Sequence, residues 1–309
     1  MTLFLSESDV QGLLSPEAAV DAVEGSFLRL ASGSVEIAPR RRLALQEGRL
    51  ADMAASDLEL GYACVKAYAG FAEGVAFLVA LFAVGRPELV ALIEADHLGR
   101  LRTGAASAVA AKYLARESAT SLGVIGCGTQ AETQVMCIRA AVPTIERVVV
   151  YCRTERNLRA FCERVGAEPA ESNREAAEQD IVVTITTSRD PVLRGEWLRP
   201  GALVCAAGAN NGVSRELDNV VLERATFVCC DWKGQARLES ADLIEPIQQG
   251  VLDWLEVHEL HEVVSGELPG RQSPDDIVVF KSNGIASWDV AVAAAVVDRA
   301  RERKVGTSL

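Results

Sequence analysis

The sequence predicts an α/β protein in two parts, a doubly wound parallel sheet and a smaller α+β domain with antiparallel strands. Three observations carry that expectation. Apolar runs recur at Leu122–Ile125, Val148–Tyr151, Ile181–Ile185, Ala202–Ala206, Thr226–Cys230 and Ile277–Phe280, with helix-like segments between most of them. Their continuous apolar character fits strands covered on both faces. The first run ends in Gly126-Cys127-Gly128, with Ala131 three residues on, which is the spacing of a strand, a tight turn and a helix. Between about Val35 and Asp96 the pattern is different, because short apolar segments there are broken by turn signals, as in a meander of hairpins.

Taken in order, Ser6 and Ser15 are N-caps by residue type, and Pro16 stands where a first helical residue would be. From Pro16 to Ala31, Val20, Val23, Phe27 and Leu30 fall on one side of a helix that should cover a sheet. Strands are expected over Val35–Leu45, Arg49–Ala54, Tyr62–Tyr68, Val75–Val84 and Leu89–Glu94. Gly104–Arg116 is Ala-rich, with no Gly or Pro after its first residue, and reads as a helix leading out of the first domain. A last helix, Ser287–Lys304, carries Arg299, Arg301, Arg303 and Lys304 toward its C-terminus, where cations complement the helix dipole. The expected division is residues 1–117, completed by the C-terminal helix at 287–309, and residues 118–286.

Composition excludes whole classes of function. A chain of 309 residues that is 49% hydrophobic and 24% charged can bury a large core and form two domains. Its formal charge of −12 argues against nucleic acid or an anionic membrane as partner, since both favour basic surfaces. No apolar run approaches the roughly 18 residues of a membrane span and no signal core opens the chain, so a cytoplasmic location is the default. The eight cysteines, Cys64, Cys127, Cys137, Cys152, Cys162, Cys205, Cys229 and Cys230, never form C-x-x-C, and buried free thiols are expected.

The glycine motif has a definite chemistry. Gly126 allows the turn, Gly128 lets a pyrophosphate approach the backbone, and Ala131 permits close helix packing, while unpaired helix N–H groups face the phosphates. The expected ligand is a dinucleotide and the expected fold of this part is Rossmann-type. A second strand ends at Tyr151, where an acid would bond the 2′-hydroxyl of NAD; the chain has Cys152-Arg153-Thr154 instead. Arg153 suits a 2′-phosphate, so NADP is favoured and NAD stays open.

Four segments in order, Arg102-Thr103-Gly104-Ala105-Ala106-Ser107, Gly126-Cys127-Gly128-Thr129-Gln130, Arg215-Glu216-Leu217-Asp218 and Phe280-Lys281-Ser282-x-Gly284, resemble the motifs of the ornithine cyclodeaminase/mu-crystallin family. The resemblance covers nearly the whole chain. It implies a substrate and dimerisation domain at the N-terminus, completed by the last helix, a homodimer, and a dinucleotide domain between. It also implies that Lys66 stands near the substrate carbon and nicotinamide, and a lysine in an apolar strand is costly unless paired or functional. An arginine after the first-domain proline binds the substrate carboxylate in this family. Pro39 is followed by Arg40, Arg41 and Arg42, and Arg41 is the choice, although a slip of one residue would reverse its face. Arg102 and Thr103 match a pair that touches cofactor phosphate, and Thr186 and Thr187 match positions lining the adenosine and pyrophosphate.

Departures from the cyclodeaminase pattern point one way. The position of a substrate-handling aspartate holds Asn210, and Ala51 stands where a glutamate would be, so a diamino acid loses both charged partners. In the segment before the final aspartate, the family often has an acid where this chain has Trp288. His258 and His261 with Glu259 and Glu262 read as a solvated helix rather than a metal site, and His97 as a turn residue. The resulting expectation is an NAD(P)H-dependent oxidoreductase acting on a small α-amino acid or its cyclic imine, with hydride transfer at the α-carbon. Its alternatives are a cyclodeaminase-type lyase using NAD catalytically and a non-catalytic binding protein like mu-crystallin.

Overall fold

Two sequence periodicities become two sheets. The computed structural model describes residues Met1–Leu309. The chain begins β1 (Leu3–Leu5), α1 (Glu7–Leu13) and α2 (Pro16–Ala31), then runs through β2 (Val35–Leu45), β3 (Gly48–Asp57), β4 (Tyr62–Phe71), β5 (Gly74–Ala83) and β6 (Leu89–Glu94) into α3 (Asp96–Leu114). There follow β7 (Ser121–Ile125), α4 (Ala131–Ala141), β8 (Arg147–Tyr151), α5 (Glu155–Val165), β9 (Glu168–Pro169), α6 (Asn173–Ala177), β10 (Ile181–Thr184), β11 (Leu203–Ala206) and α7 (Asn219–Arg224). Then come β12 (Phe227–Cys230), α8 (Lys233–Glu239), α9 (Ala241–Gln248), β13 (Val257–Glu259), α10 (Leu260–Val264), β14 (Val278–Lys281), α11 (Ala286–Arg303) and β15 (Thr307–Ser308). No helix is long and apolar enough to cross a membrane.

The chain divides into one compact unit of Met1–Arg102 with Ile285–Leu309 and another of Thr103–Gly284. The boundary therefore falls inside α3, at 102/103 rather than at 117, because most of that Ala-rich helix packs with the second unit. The return crossing comes at 284/285, two residues before the expected one.

In the first unit the strands lie in the order β15-β1-β6-β5-β4-β3-β2, with β2 to β6 as the antiparallel meander and β1 parallel to β6. Alternation along the strands turns Met53, Cys64, Lys66, Val79 and Leu81 to the buried face, which α11 covers together with α2. Ser15 caps α2 by accepting the Ala18 N–H, with Pro16 at the helix start as expected. Trp288 of α11 meets Phe27 of α2 edge-on, with ring centroids 5.6 Å apart. Glu7 accepts the backbone N–H groups of Asp96 and His97, so His97 belongs to the first turn of α3 rather than to a loop.

The second unit is a wholly parallel sheet in the order β13-β12-β14-β11-β10-β7-β8-β9. Eight strands stand where the sequence predicts six, because the short β9 and β13 extend its two edges. The direction of winding reverses between β7 and β10, which opens a crevice at their C-terminal ends. Gly123 makes the close packing beneath that crevice possible: a Cβ there would stand 1.8 Å from the Ala176 carbonyl oxygen.

Candidate functional site

Each unit builds a polar centre of its own. In the first, the two-residue repeat of β4 sends Lys66 into the core while Val65 faces out. An isolated ammonium there would lose several kcal/mol of hydration, about as much as any single interaction returns. Asp289 of α11 answers it, with Lys66 Nζ donating to Oδ1 at 2.8 Å, and Arg102 Nε donates to the same oxygen at 3.2 Å. Lys66 also lies 5.5 Å from the Phe77 ring centroid, and Arg102 lies over the Trp288 ring. A Cβ at Gly99 would come within 3.0 Å of Nζ, so α3 presents its smallest residue to the lysine.

The charges of this centre are unbalanced. Burial and the guanidinium of Arg102 push the Lys66 pKa down to about 8, with a further push from Arg40, against the pull of Asp289. Burial alone would raise the Asp289 carboxyl, but Arg102 and Lys66 outweigh it and hold it below its ordinary value. Two atoms beside the pair are buried and lack hydrogen-bond partners, the second Asp289 oxygen and the Trp288 indole N–H. Buried polar atoms are nearly always satisfied, so these two unsatisfied atoms are where a polar ligand would find partners.

Of the three consecutive arginines, the structure brings Arg40 to the lysine, not Arg41. A register shift between Ala38 and Arg41 interrupts the pairing of β2 with β3, beside Pro39, which has no N–H to give the ladder. Beyond that shift Arg41 pairs opposite Asp52, its side chain 78% exposed and ion-paired to that residue at 2.8 Å. Arg40 is buried, its Nε donating to the Met53 sulfur at 3.3 Å, and Met53 pairs with Lys66. The Pro-x-Arg spacing that favours Arg41 thus selects the exposed side of the strand, and Arg40 is the arginine on the buried side. Ala51 is buried opposite Tyr68, so no carboxylate occupies that position.

In the second unit a cavity of about 310 Å³ opens at the crevice between β7 and β10. Gly126, Gly128, Arg153, Thr154, Thr186 and Thr187 line it, along with Cys127, Tyr151, Cys152 and Ser188. Gly126 has φ +117°, and a Cβ on it would strike the Ile185 carbonyl oxygen at 2.5 Å. At Gly128 nothing lies within 4 Å of the place a Cβ would take, so backbone is open to a ligand. The first N–H groups of α4 have no side-chain cap, which suits phosphate. The cradle therefore fits a dinucleotide pyrophosphate. Thr129, Gln130 and Asn210 do not line this cavity; Gln130 is the N-cap of α4, and Asn210 follows β11. Thr103 lies on α3, its carbonyl accepting from Gln134, and Arg102, expected at cofactor phosphate, is tied to Asp289.

The loops beside this cavity are fastened by a buried network that sequence reasoning missed. Glu216, within the Arg215–Asp218 motif, accepts the N–H groups of Thr186, Gly208 and Ala209 and the Thr186 hydroxyl. Asp242 in turn accepts the N–H groups of Glu216 and Leu217, and Lys281 bridges Asp242 at 3.0 Å to the Ala209 carbonyl at 2.5 Å. The signal was present as charged residues inside apolar stretches. His258 stacks on Phe227, and His261 meets Glu259 at 2.9 Å.

The cysteines overturn one expectation. Cys127 and Cys152 are joined by a disulfide, and only the other six are free and buried. The cause is topological: Ile125 pairs with Tyr151, so the residues just past these two strand ends are neighbours although 25 positions apart.

The model of the ornithine cyclodeaminase/mu-crystallin family matches residues 1–304. The alanine dehydrogenase of Archaeoglobus fulgidus is 36% identical over all of this chain and 98% of its own length. Among solved structures, the Delta(1)-pyrroline-2-carboxylate reductase of Thermococcus litoralis, in complex with NADH and L-proline, matches at TM-score 0.94 and 33% identity over the whole of both chains. An archaeal alanine dehydrogenase dimer with bound NAD matches at 0.93 and 33%, over 100% of this chain and 98% of that one.

Proposed function

Because the chain belongs to the ornithine cyclodeaminase/mu-crystallin family, we propose that it is an NAD(P)-dependent oxidoreductase of a small α-amino acid or its cyclic imine, acting at the α-carbon. The observation that carries this reading is the buried Lys66–Asp289–Arg102 cluster with Arg40 on its face, which suits an anion with a nitrogen beside it. The bound dinucleotide supplies or accepts the hydride. Arg40 anchors the substrate carboxylate, which fixes the α-carbon and lowers the entropic barrier. Lys66 donates a proton to the substrate nitrogen in reduction and takes it back in oxidation, and the second Asp289 oxygen, ionised and without a hydrogen-bond partner, accepts a hydrogen bond from the protonated nitrogen. Neither Ala51 nor Asn210 offers the carboxylate a diamino acid would need, so cyclodeamination is disfavoured.

NADP(H) is the preferred cofactor in this reading. The three residues after Tyr151, Cys152-Arg153-Thr154, hold no acid to bond a ribose 2′-hydroxyl, and the exposed Arg153 lines the cavity where a 2′-phosphate would lie. The exposed face of the meander, with Leu43, Leu50, Val65, Leu78 and Phe82 among its solvated side chains, pairs with a second copy of the chain; the related alanine dehydrogenase is described as a dimer.

A screen of cyclic imines and 2-keto acids with amines, followed by NADPH and NADH absorbance, is expected to show turnover, with a higher kcat/KM for NADPH. Arg153→Ala should narrow or invert that ratio. No oxidation of either cofactor across the screen would remove the oxidoreductase reading. With a working substrate, Arg40→Met should lower kcat/KM by about 10- to 100-fold, from the loss of charge-assisted hydrogen bonds, whereas Arg41→Met should change it by less than about twofold, as for exposed ion pairs. The reverse ranking would return the carboxylate to Arg41. By sedimentation, Val65→Glu combined with Phe82→Glu should shift a dimer to monomer; an unaltered dimer would place the interface elsewhere.

A further inference from the structure

We propose that Cys127 and Cys152 form a reversible thiol–disulfide site that sets the affinity of the dinucleotide cleft, taking low-molecular-weight disulfides and dithiols as its reaction partners. The inference rests on the reading of that cleft as the cofactor site. Six of the eight cysteines are sealed in the core. Burial pushes the Cys205 thiol up to about 12 and those of Cys229 and Cys230 well above their usual value, which keeps them from reacting as thiolates. Cys127 and Cys152 are the two that are not buried, and both line the cleft.

Their position couples the bond to binding. Cys127 is the residue between the two glycines of the phosphate turn, and Cys152 immediately precedes Arg153 and Thr154. With Cα atoms 5.8 Å apart, the bridge fastens the turn after β7 to the loop after β8. The cleft is open with the bond in place, so the bond is a brace and not a plug. Reduced, the two sulfurs must retreat to van der Waals separation, and the loop carrying Arg153 regains freedom that cofactor binding must then remove. The disulfide form is the tighter binder.

The exchange balances. One cysteine thiolate attacks a small disulfide and expels one thiolate, leaving a mixed disulfide; the second cysteine attacks its own partner's sulfur and expels the other. The protein pair is oxidised by two electrons as the small disulfide becomes two thiols, and a dithiol drives the reverse.

The test compares protein treated with oxidised glutathione and protein treated with dithiothreitol, each freed of reagent. Thiols are titrated in denaturant, the Cys127–Cys152 peptide pair is sought by mass spectrometry, and the Kd for NADPH and NADH is measured by fluorescence. Six thiols after oxidation and eight after reduction are expected, with the oxidised form binding about three- to tenfold more tightly and the difference lost in Cys152→Ser and in Cys127→Ser. Eight thiols in both preparations, or equal Kd in two forms that both bind, would overturn this proposal alone. Binding by neither form would overturn it together with the reading of the cleft.

Discussion

A lysine held charged inside an apolar sheet is the constraint around which the first unit is arranged. Lys66 cannot be there without Asp289, and Asp289 can reach it only because the last helix returns to cover the meander. Breaking one side of such a pair leaves a buried charge and costs about 3–5 kcal/mol. That pairing joins residues 223 positions apart, so the far end of the sequence completes a centre begun on β4. Arg102 and Arg40 then shift the balance, pressing the lysine toward neutrality while leaving the carboxylate ionised. The result is a proton that is held loosely on Lys66, beside a carboxylate oxygen still able to accept a hydrogen bond.

The second unit solves a different problem by similar means. Its strand ends must present open backbone to phosphate, and open loops at a crevice are mobile unless fastened from below. The buried Glu216–Asp242–Lys281 network does the fastening, spanning the loops after β10 and β11 and the end of β14. Burial pushes Glu216 upward in pKa, opposed first by Lys281, which shows how the lysine supports the carboxylate that grips the backbone. In both units a buried lysine and carboxylate organise a polar region that apolar packing alone could not specify.

Much of this is legible in the sequence. Strands β2 and β6 and helix α2 fall where the hydrophobic periods place them, and Gly126, Gly128 and Arg153 reach one cavity because their spacing encodes a local strand–turn–helix unit. The failures lie where distant or off-period geometry decides. A register shift beside Pro39 exchanges the faces of Arg40 and Arg41, which alternation alone cannot foresee. The cysteine bridge depends on the pairing of β7 with β8. Asp289 was in plain view as an acid amid Trp288, Val290, Ala291 and Val292, yet its partner is named only by the fold.

Asp289 keeps a proton on Lys66 against burial and two guanidinium groups. The most direct measurement is the pH dependence of kcat/KM for imine reduction in the wild type and in Asp289→Asn. In the wild type Lys66 is protonated below about 8, so activity should fall as pH rises through that value. Without the Asp289 charge the lysine should lose its proton more readily, moving the alkaline limb at least about one unit toward acid. A limb at the same pH in both proteins would contradict the claim that this pair controls the reacting proton.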